Sequence, residues 1–391
     1  MDRIDSIVRQ TGADANPSRR AAARPSGRKE PTIDRPSRPA RPRRPTLQDV
    51  AAAAGVSAST ASLAFSGAGP VAEATRRRVL DAAQSLGYAG PDPTAASLRR
   101  GRSGVVGVVV GERIRDAFRD PYVATLLDGL VDALAGEGLA ILLLPMVHDV
   151  GGQPAEQYRT APMDAVVYAT GGLPDDPSLP VVLGRGVPVV AIEGPEAPGA
   201  SLVRIDDRDG SRHAARLLAG LGHARVGVVT MPWRLDGSSG ALTASRRALA
   251  GFADSTARLA GVEDVLAPVA VVECPTNTVE AGRDAAVRLL GDDVGERPTA
   301  VVAQSDVLAA GVVQGCRDLG LDVPGDVSVV GFDGVEIPWL PLQLTTLVQP
   351  VTEKARATAD AVLARLAGGP ASDVTLPVRL RVGATTGPPP G

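Results

Sequence analysis

Residues 46–69 read TLQDVAAAAGVSASTASLAFSGAG, and these twenty-four positions hold no lysine, arginine or histidine. Leu47, Val50, Ala51 and Ala54 recur at i, i+3, i+4 and i+7, the apolar stripe of an amphipathic helix. Thr46 with Asp49 three residues on has the form of an N-terminal capping box, and Gly55 suits the left-handed position that stops a helix. After Val56, Ser57 is placed to cap a second helix. There Ala61, Ala64 and Phe65 share a buried face, while Ala58, Ser59, Ser62 and Leu63 point outward. Two short helices joined by a turn containing glycine make either a helix-turn-helix, whose second helix enters the DNA major groove, or an ordinary αα-hairpin. A segment without cations reads a polyanion only if charge comes from elsewhere, so its flanks decide.

Arg41, Arg43 and Arg44 precede the stretch, and Arg76, Arg77 and Arg78 follow it near the start of a third helix with apolar positions Val79, Leu80, Ala83 and Leu86. Uncharged donors add to these: helix N-terminal amides and the hydroxyls of Thr46, Ser57, Ser59, Thr60 and Ser62, since half or more of protein–DNA hydrogen bonds go to backbone oxygens. The competing reading of Arg76 and its neighbours is a solvated surface run. Charge is divided along the chain: residues 1–44 carry 12 Lys+Arg against 5 Asp+Glu, residues 45–103 carry 6 against 4, and the remainder 23 against 35. A basic front on an acidic body fits an anion-binding head. Residues 1–44, rich in Pro, Arg, Ala and Ser, are expected to be disordered, as a variable tail or as a basic arm making sequence-independent phosphate contacts.

At 391 residues and 44% hydrophobic, the chain has material for two or three domains, although only 3% is aromatic. No apolar run approaches the roughly 20 residues of a membrane span, and the first residues lack a signal peptide's apolar core, so a soluble cytoplasmic protein is expected. Cys274 and Cys316 have neither CxxC spacing nor clustered histidines, which points to inert thiols and no metal. Beyond Gly104, GVVGVVV, LAILLLP, MDAVVYA, VPVVAIE, ARVGVVT, PVAVVEC, TAVVAQS and DVSVVGF are Val-rich runs of the kind buried in parallel sheets, separated by helical stretches. They predict two doubly wound subdomains with a ligand cleft outside the strand carboxyl ends. No GxGxxG follows the first strand and no GxxxxGK[ST] occurs, so no nucleotide cofactor is expected. His148, His213 and His223 belong to no GxSxG or HExxH arrangement, and catalysis is not expected.

PTLQDVAAAAGVSASTASLAFSGAGPVAEATRRRVLDAAQSLGYAGPDPTAASLRRG resembles the headpiece of the LacI/GalR transcription regulators, and the resemblance runs through residues 45–386 by way of IDDRDGSRHAARLLAGLGHARVGVV, AQSDVLAAGV, VPGDVSVVGFDG and LTTLVQP. It implies an N-terminal all-α helix-turn-helix headpiece plus an α/β effector domain, periplasmic-binding-protein-like, of two doubly wound subdomains. The implied divisions are a basic tail (1–44), a DNA-binding domain (45–90), a hinge helix and linker (91–103), a two-lobed effector and dimerisation domain (104–386) and a flexible tail (387–391). The implied function is a sequence-specific DNA-binding repressor, a homodimer on pseudo-palindromic double-stranded operator DNA, controlled by a small molecule, a sugar, bound between the lobes. The helix VATLLDGLVDAL is the implied dimer contact. A solute-binding protein whose headpiece no longer reads DNA is the competing reading.

The resemblance assigns Ala58, Ser59 and Ser62 to the groove and Leu98 to a hinge leucine inserted in the minor groove, where an apolar wedge kinks the site. At Leu63 the family usually has an arginine; leucine cannot make arginine's bidentate bonds to guanine and can instead touch a thymine methyl. Pro93, in an otherwise longer hinge, fits a first helical turn. In the effector domain Asp306 matches the acid that grips sugar hydroxyls, or else caps a helix; Ser305 stands before it where the family usually has Asn. Tyr122, Glu193, Trp233 and Trp339 are cleft candidates by position. The family's effector-binding arginine is absent, with Ala248 in its place and Arg247 one residue earlier.

Overall fold

The computed structural model describes residues 45–67, 69–90, 97, 101–111, 114–146, 155–249, 251–291 and 297–391. The readings made for residues 1–44, for Pro93 and for Leu98 lie outside these residues. Two compact units emerge, Met1–Pro91 and Asp92–Gly391.

In the first unit α1 (Leu47–Ala54), α2 (Ala58–Ser66) and α3 (Glu73–Leu86) pack around Val50, Ala51, Ala54, Ala61, Ala64, Val79 and Ala83. Most of these are alanines, which let helix axes approach closely. Phe65 and Tyr88 close one side edge to face, with centroids 5.6 Å apart. The expected caps form. The Thr46 amide and hydroxyl both donate to Asp49 Oδ2 at 2.8 Å, and Asp49 N donates back to Thr46 Oγ1 at 3.3 Å. Gly55 and Gly67 terminate α1 and α2 in the left-handed region, φ 65° and 67°. Two expectations for α3 are corrected: within this unit Leu80 is 44% and Leu86 38% exposed. Leu80 lies one residue, about 100°, round the helix from buried Val79, and Leu86 sits in the last turn.

The second unit carries two sheets. In the first lobe β1 (Val105–Val110), β2 (Ala140–Pro145), β3 (Ala165–Tyr168), β4 (Val189–Ile192) and β5 (Ser201–Ile205) are joined by β12 (Asp373–Leu376) in the order β12-β5-β4-β3-β1-β2, every pairing parallel. In the second, β6 (Val226–Thr230), β7 (Gly240–Ala241), β8 (Ala270–Glu273), β9 (Ala300–Ala303), β10 (Ser328–Asp333), β11 (Thr345–Val348) and β13 (Arg379–Arg381) run in the order β13-β11-β10-β9-β6-β8-β7, with an antiparallel pair at each edge. The helices in chain order are α4 (Ile114–Ala117), α5 (Pro121–Ala135), α6 (Gln157–Thr160), α7 (Ser178–Gly184), α8 (Asp207–Gly220), α9 (Ala244–Arg247), α10 (Ala253–Glu263), α11 (Val279–Leu290), α12 (Asp306–Asp318) and α13 (Val351–Leu366).

All eight Val-rich runs are strands, and β-branched side chains suit a sheet covered on both faces. In the first lobe α5 and α13 cover one face, burying Leu126, Leu130, Leu134 and Val362 against Val106, Val108, Val190 and Val203. In the second, α11 and α12 press together through glycines: a Cβ on Gly311 would overlap the Val279 carbonyl oxygen, and one on Gly282 the Leu308 carbonyl. The chain passes between lobes three times, from β5 to α8, from β11 to α13 and from β12 to β13. The C-terminal end is held: the Gly387 carbonyl accepts from Ser328 Oγ at 3.0 Å and lies 2.9 Å from His223 Nε2.

Candidate functional site

In the headpiece the exposed start of α2 presents Ser57, Ala58 and Ser59, with Thr60 and Ser62 half-buried beside them. Ser57 Oγ accepts from Thr60 N at 3.1 Å and shares a 2.8 Å bond with the Thr60 hydroxyl, so both hydroxyls serve the cap. Ser59 carries the exposed hydroxyl. Leu63, 37% exposed, leans on the following turn, its Cδ2 3.2 Å from where a Cβ would stand on Gly69. Arg76 is half-buried, with Nη1 3.8 Å from the same construction on Gly67, so its guanidinium lies beside the carboxyl end of α2, where cations are favoured.

In the second unit a cavity of about 100 Å³ lies between the lobes at strand carboxyl ends. Tyr122, Asp120, Thr170 and Glu193 line it from the first lobe and Asp254, Ser255, Arg258, Asn277 and Asp333 from the second. Glu193 and Asp333 are the non-glycine residues with positive φ among those described, 60° and 126°. Both end a strand, and such strain persists where surrounding structure over-determines it, often at ligand sites.

Hydrogen bonds fix the walls. Lys354 on α13, fully buried, donates to Glu193 Oε1 at 2.5 Å, to Gln349 Oε1 at 2.6 Å and to the Tyr122 hydroxyl at 3.2 Å. Burial opposes its charge, but Tyr122 and Glu193 outweigh that and hold the ammonium's pKa above its usual value. Arg258 donates to Asp207 at 2.7 Å and to the Gln304 carbonyl at 2.6 Å, and stacks 3.7 Å over the Phe332 ring. Gln349 Nε2 donates to Asp333 Oδ1 at 2.7 Å. The direct contacts between the lobes include Asn277 Nδ2 donating to Asp120 Oδ2 at 2.9 Å and Arg234 paired with Asp175 at 2.8 Å. Ser305 caps α12, accepting from Leu308 N, and its hydroxyl bonds Asn277 Oδ1 at 2.5 Å, thereby aiming that amide across the cleft.

Tyr122 and Glu193 are therefore brought together at the cavity, and four other expectations are corrected. Asp306 is fully buried and does not line it: its oxygens accept from Gly334 N at 2.8 Å, Val335 N at 2.9 Å and Thr346 Oγ1 at 2.6 Å. Trp233 is a core residue, its indole N–H donating to the Leu249 carbonyl at 3.0 Å. Arg247 turns outward to Glu263 at 2.5 Å, and Trp339 stands 50% exposed in the loop after β10. Arg258, Asn277 and Lys354 went unread because an isolated charged or amide residue in or before a helix looks like a solvated face. Asp333, in the quoted VPGDVSVVGFDG, is the last residue of β10 and is legible by the strand-end argument applied to Glu193.

Comparison with protein families matches residues 46–90 to "Bacterial regulatory proteins, lacI family" and residues 215–386 to a periplasmic binding protein-like domain. An HTH-type transcriptional regulator of Mycobacterium tuberculosis is 34% identical, across 88% of this chain and 97% of its own length. The chain belongs to the LacI family. It is thus a DNA-binding transcriptional regulator with a helix-turn-helix head. Among solved structures, a complex of the transcriptional regulator CelR with cellobiose is 26% identical over 88% of this chain and 100% of that one, TM-score 0.61. The Lac repressor dimer bound to operator, 22% identical with TM-score 0.71 over the same 88% of this chain and all of that one, shares the fold. Among the described residues no helix is long and apolar enough to cross a membrane, and no group of His, Cys, Asp and Glu side chains could hold a metal ion.

Proposed function

We propose that this regulator is a cytoplasmic homodimeric repressor whose affinity for a pseudo-palindromic operator is changed by a sugar bound between its lobes. The observation that carries this is the cavity itself. Its walls come from both lobes and are already bridged by the Asn277–Asp120 bond, so an occupant there contacts both and favours one lobe angle over another. A ligand shifts an equilibrium only by its difference in affinity for the two states, and a cleft whose walls move relative to each other provides that difference. A sugar is supported by the polar lining of carboxylates, amides and hydroxyls with Phe252 and Tyr122 beside them, and by the cellobiose held by the regulator described above. On the DNA side Ala58, Ser59, Ser62 and Leu63 face the groove and Arg76 contributes charge, with α5 as the dimer contact.

The test is selection of bound DNA from a random duplex pool by the purified chain, repeated with a panel of sugars. A palindromic motif whose recovery changes with one sugar supports reader and sensor together. Enrichment of no motif under any condition would overturn the DNA-reading half, and a motif indifferent to every sugar the sensing half.

A further inference from the structure

The charges around the cavity do not balance. Its lining contains the carboxylates of Asp116, Asp120, Glu193, Asp254 and Asp333 but, among the described residues, the single cation Arg258. That guanidinium is already committed to Asp207 at 2.7 Å and stands only 4.0 Å from Asp333, while Glu193 is matched by Lys354. Asp120 and Asp254 are left without an ion pair among the described residues. Asp120 makes hydrogen bonds to the Tyr122 amide and to Asn277, and Asp254 accepts from the Ser255 amide with one oxygen only. A second, uncharged group is unspent at the same wall: Ser255, 1% exposed, has a buried hydroxyl with no hydrogen-bond partner. A buried carboxylate and a half-buried one, Asp120 and Asp254, with no ion pair of their own, and a buried hydroxyl without a partner all cost free energy that an occupant of the right chemistry recovers.

We propose that the effector carries a protonated amine, held between Asp120 of the first lobe and Asp254 of the second, with the Ser255 hydroxyl bonding a neighbouring polar atom of the ligand. This rests on the reading above that a ligand sits between the lobes, and it narrows the sugar to an amino sugar. An ammonium brings three donors and a charge to carboxylates from opposite lobes, which a neutral diol matches only in hydrogen bonds. An anionic ligand such as a sugar phosphate meets uncompensated carboxylates instead and is excluded. Burial raises the pKa of Asp254 and pushes that of Asp120 up to about 6, the direction expected of carboxylates whose charge a bound cation would stabilise.

The experiment is calorimetric titration of the full chain with hexosamines, their N-acetyl derivatives, the parent hexoses, hexose 6-phosphates and a linear diamine. The expected result is binding of a hexosamine about tenfold or more tighter than its N-acetyl derivative and its parent hexose, with no binding of the phosphates. In Asp254→Asn the preference for the amine over its N-acetyl derivative and its parent hexose should fall to near unity. Equal or tighter binding of a neutral hexose overturns the amine and leaves the sugar reading standing. Binding of the diamine with no response to any sugar leaves the amine standing and overturns the sugar. Silence from the whole panel overturns both.

Discussion

Asp306 is the side chain whose role changes most between sequence and structure. Its neighbours in AQSD suit a ligand-gripping acid at a helix start, but the structure spends both oxygens on Gly334 N, Val335 N and the Thr346 hydroxyl at full burial. Removing it orphans buried donors, each worth roughly 1–3 kcal/mol when left unmade. Asp306→Ala should therefore lower the unfolding free energy by about 3 kcal/mol or more in urea, rather than silencing a folded sensor. A variant as stable as the parent would refute this. At the other functional face, Leu63→Arg restores a side chain able to read guanine bidentately, worth about 1–3 kcal/mol of discrimination. Operator selection should then move towards guanine at the facing base pair; unchanged affinity and preference would count against a groove-facing Leu63. Glu193 is legible as the position after a strand and Tyr122 as the first turn of the long helix that follows β1, because a chain that alternates strands and helices turns both kinds of position to one side of the sheet. Arg258 was not, since its partners Asp207, Gln304 and Phe332 lie 51, 46 and 74 residues away in sequence and meet it only on folding.

Helices and strands were readable in proportion to how locally they are determined. The capping box of α1 is written in four residues, and Thr46→Ala should cost the headpiece about 1 kcal/mol, seen as a lower melting temperature by circular dichroism. Seven of the eight apolar runs form largely buried strands and announce themselves, and the edge strand β2, mostly half-buried, still shows as the continuous apolar run AILLL. By contrast β12 alternates exposed and half-buried residues at a sheet edge, β13 is two-thirds arginine, and β5 carries Arg204, so none forms a continuous apolar run. The helix pair α11–α12 offers a sharper test. Gly311→Ala places a methyl against the Val279 carbonyl and the Gly282 backbone, atoms that move only with their helix. Although alanine is the better helix former by about 1 kcal/mol, overpacking should win and destabilise the protein by about 1–3 kcal/mol; a stabilised variant would show that the helices separate freely.

For the whole molecule, burial of acids links folding to pH. Burial is the main cause that lifts Asp120 to about 6 and Asp306 to about 7 from an ordinary 3.8. Between those limits the folded chain keeps protons the unfolded chain has released. The contribution is thus present at low pH and lost as pH rises from about 4 to 7. His223, whose pKa burial lowers, works in the opposite direction, so the diagnostic is a difference: the melting temperature of Asp306→Asn should fall less between about pH 5 and 7.5 than that of the parent. Parallel profiles would rule out Asp306 as a source.

The threefold passage of the chain between lobes has a consequence for the order in which the protein is made. The first lobe starts at β1 but receives α13 and its edge strand β12 only when residues 351–376 have left the ribosome. Synthesis at about 5–20 residues per second separates β5 from β12 by roughly ten to thirty seconds. Throughout that interval one edge of a five-stranded parallel sheet and the face awaiting α13 are uncovered while the second lobe is being translated. The vulnerable species of this protein is therefore the nascent chain, and holding that exposed surface is the task a chaperone would have to perform.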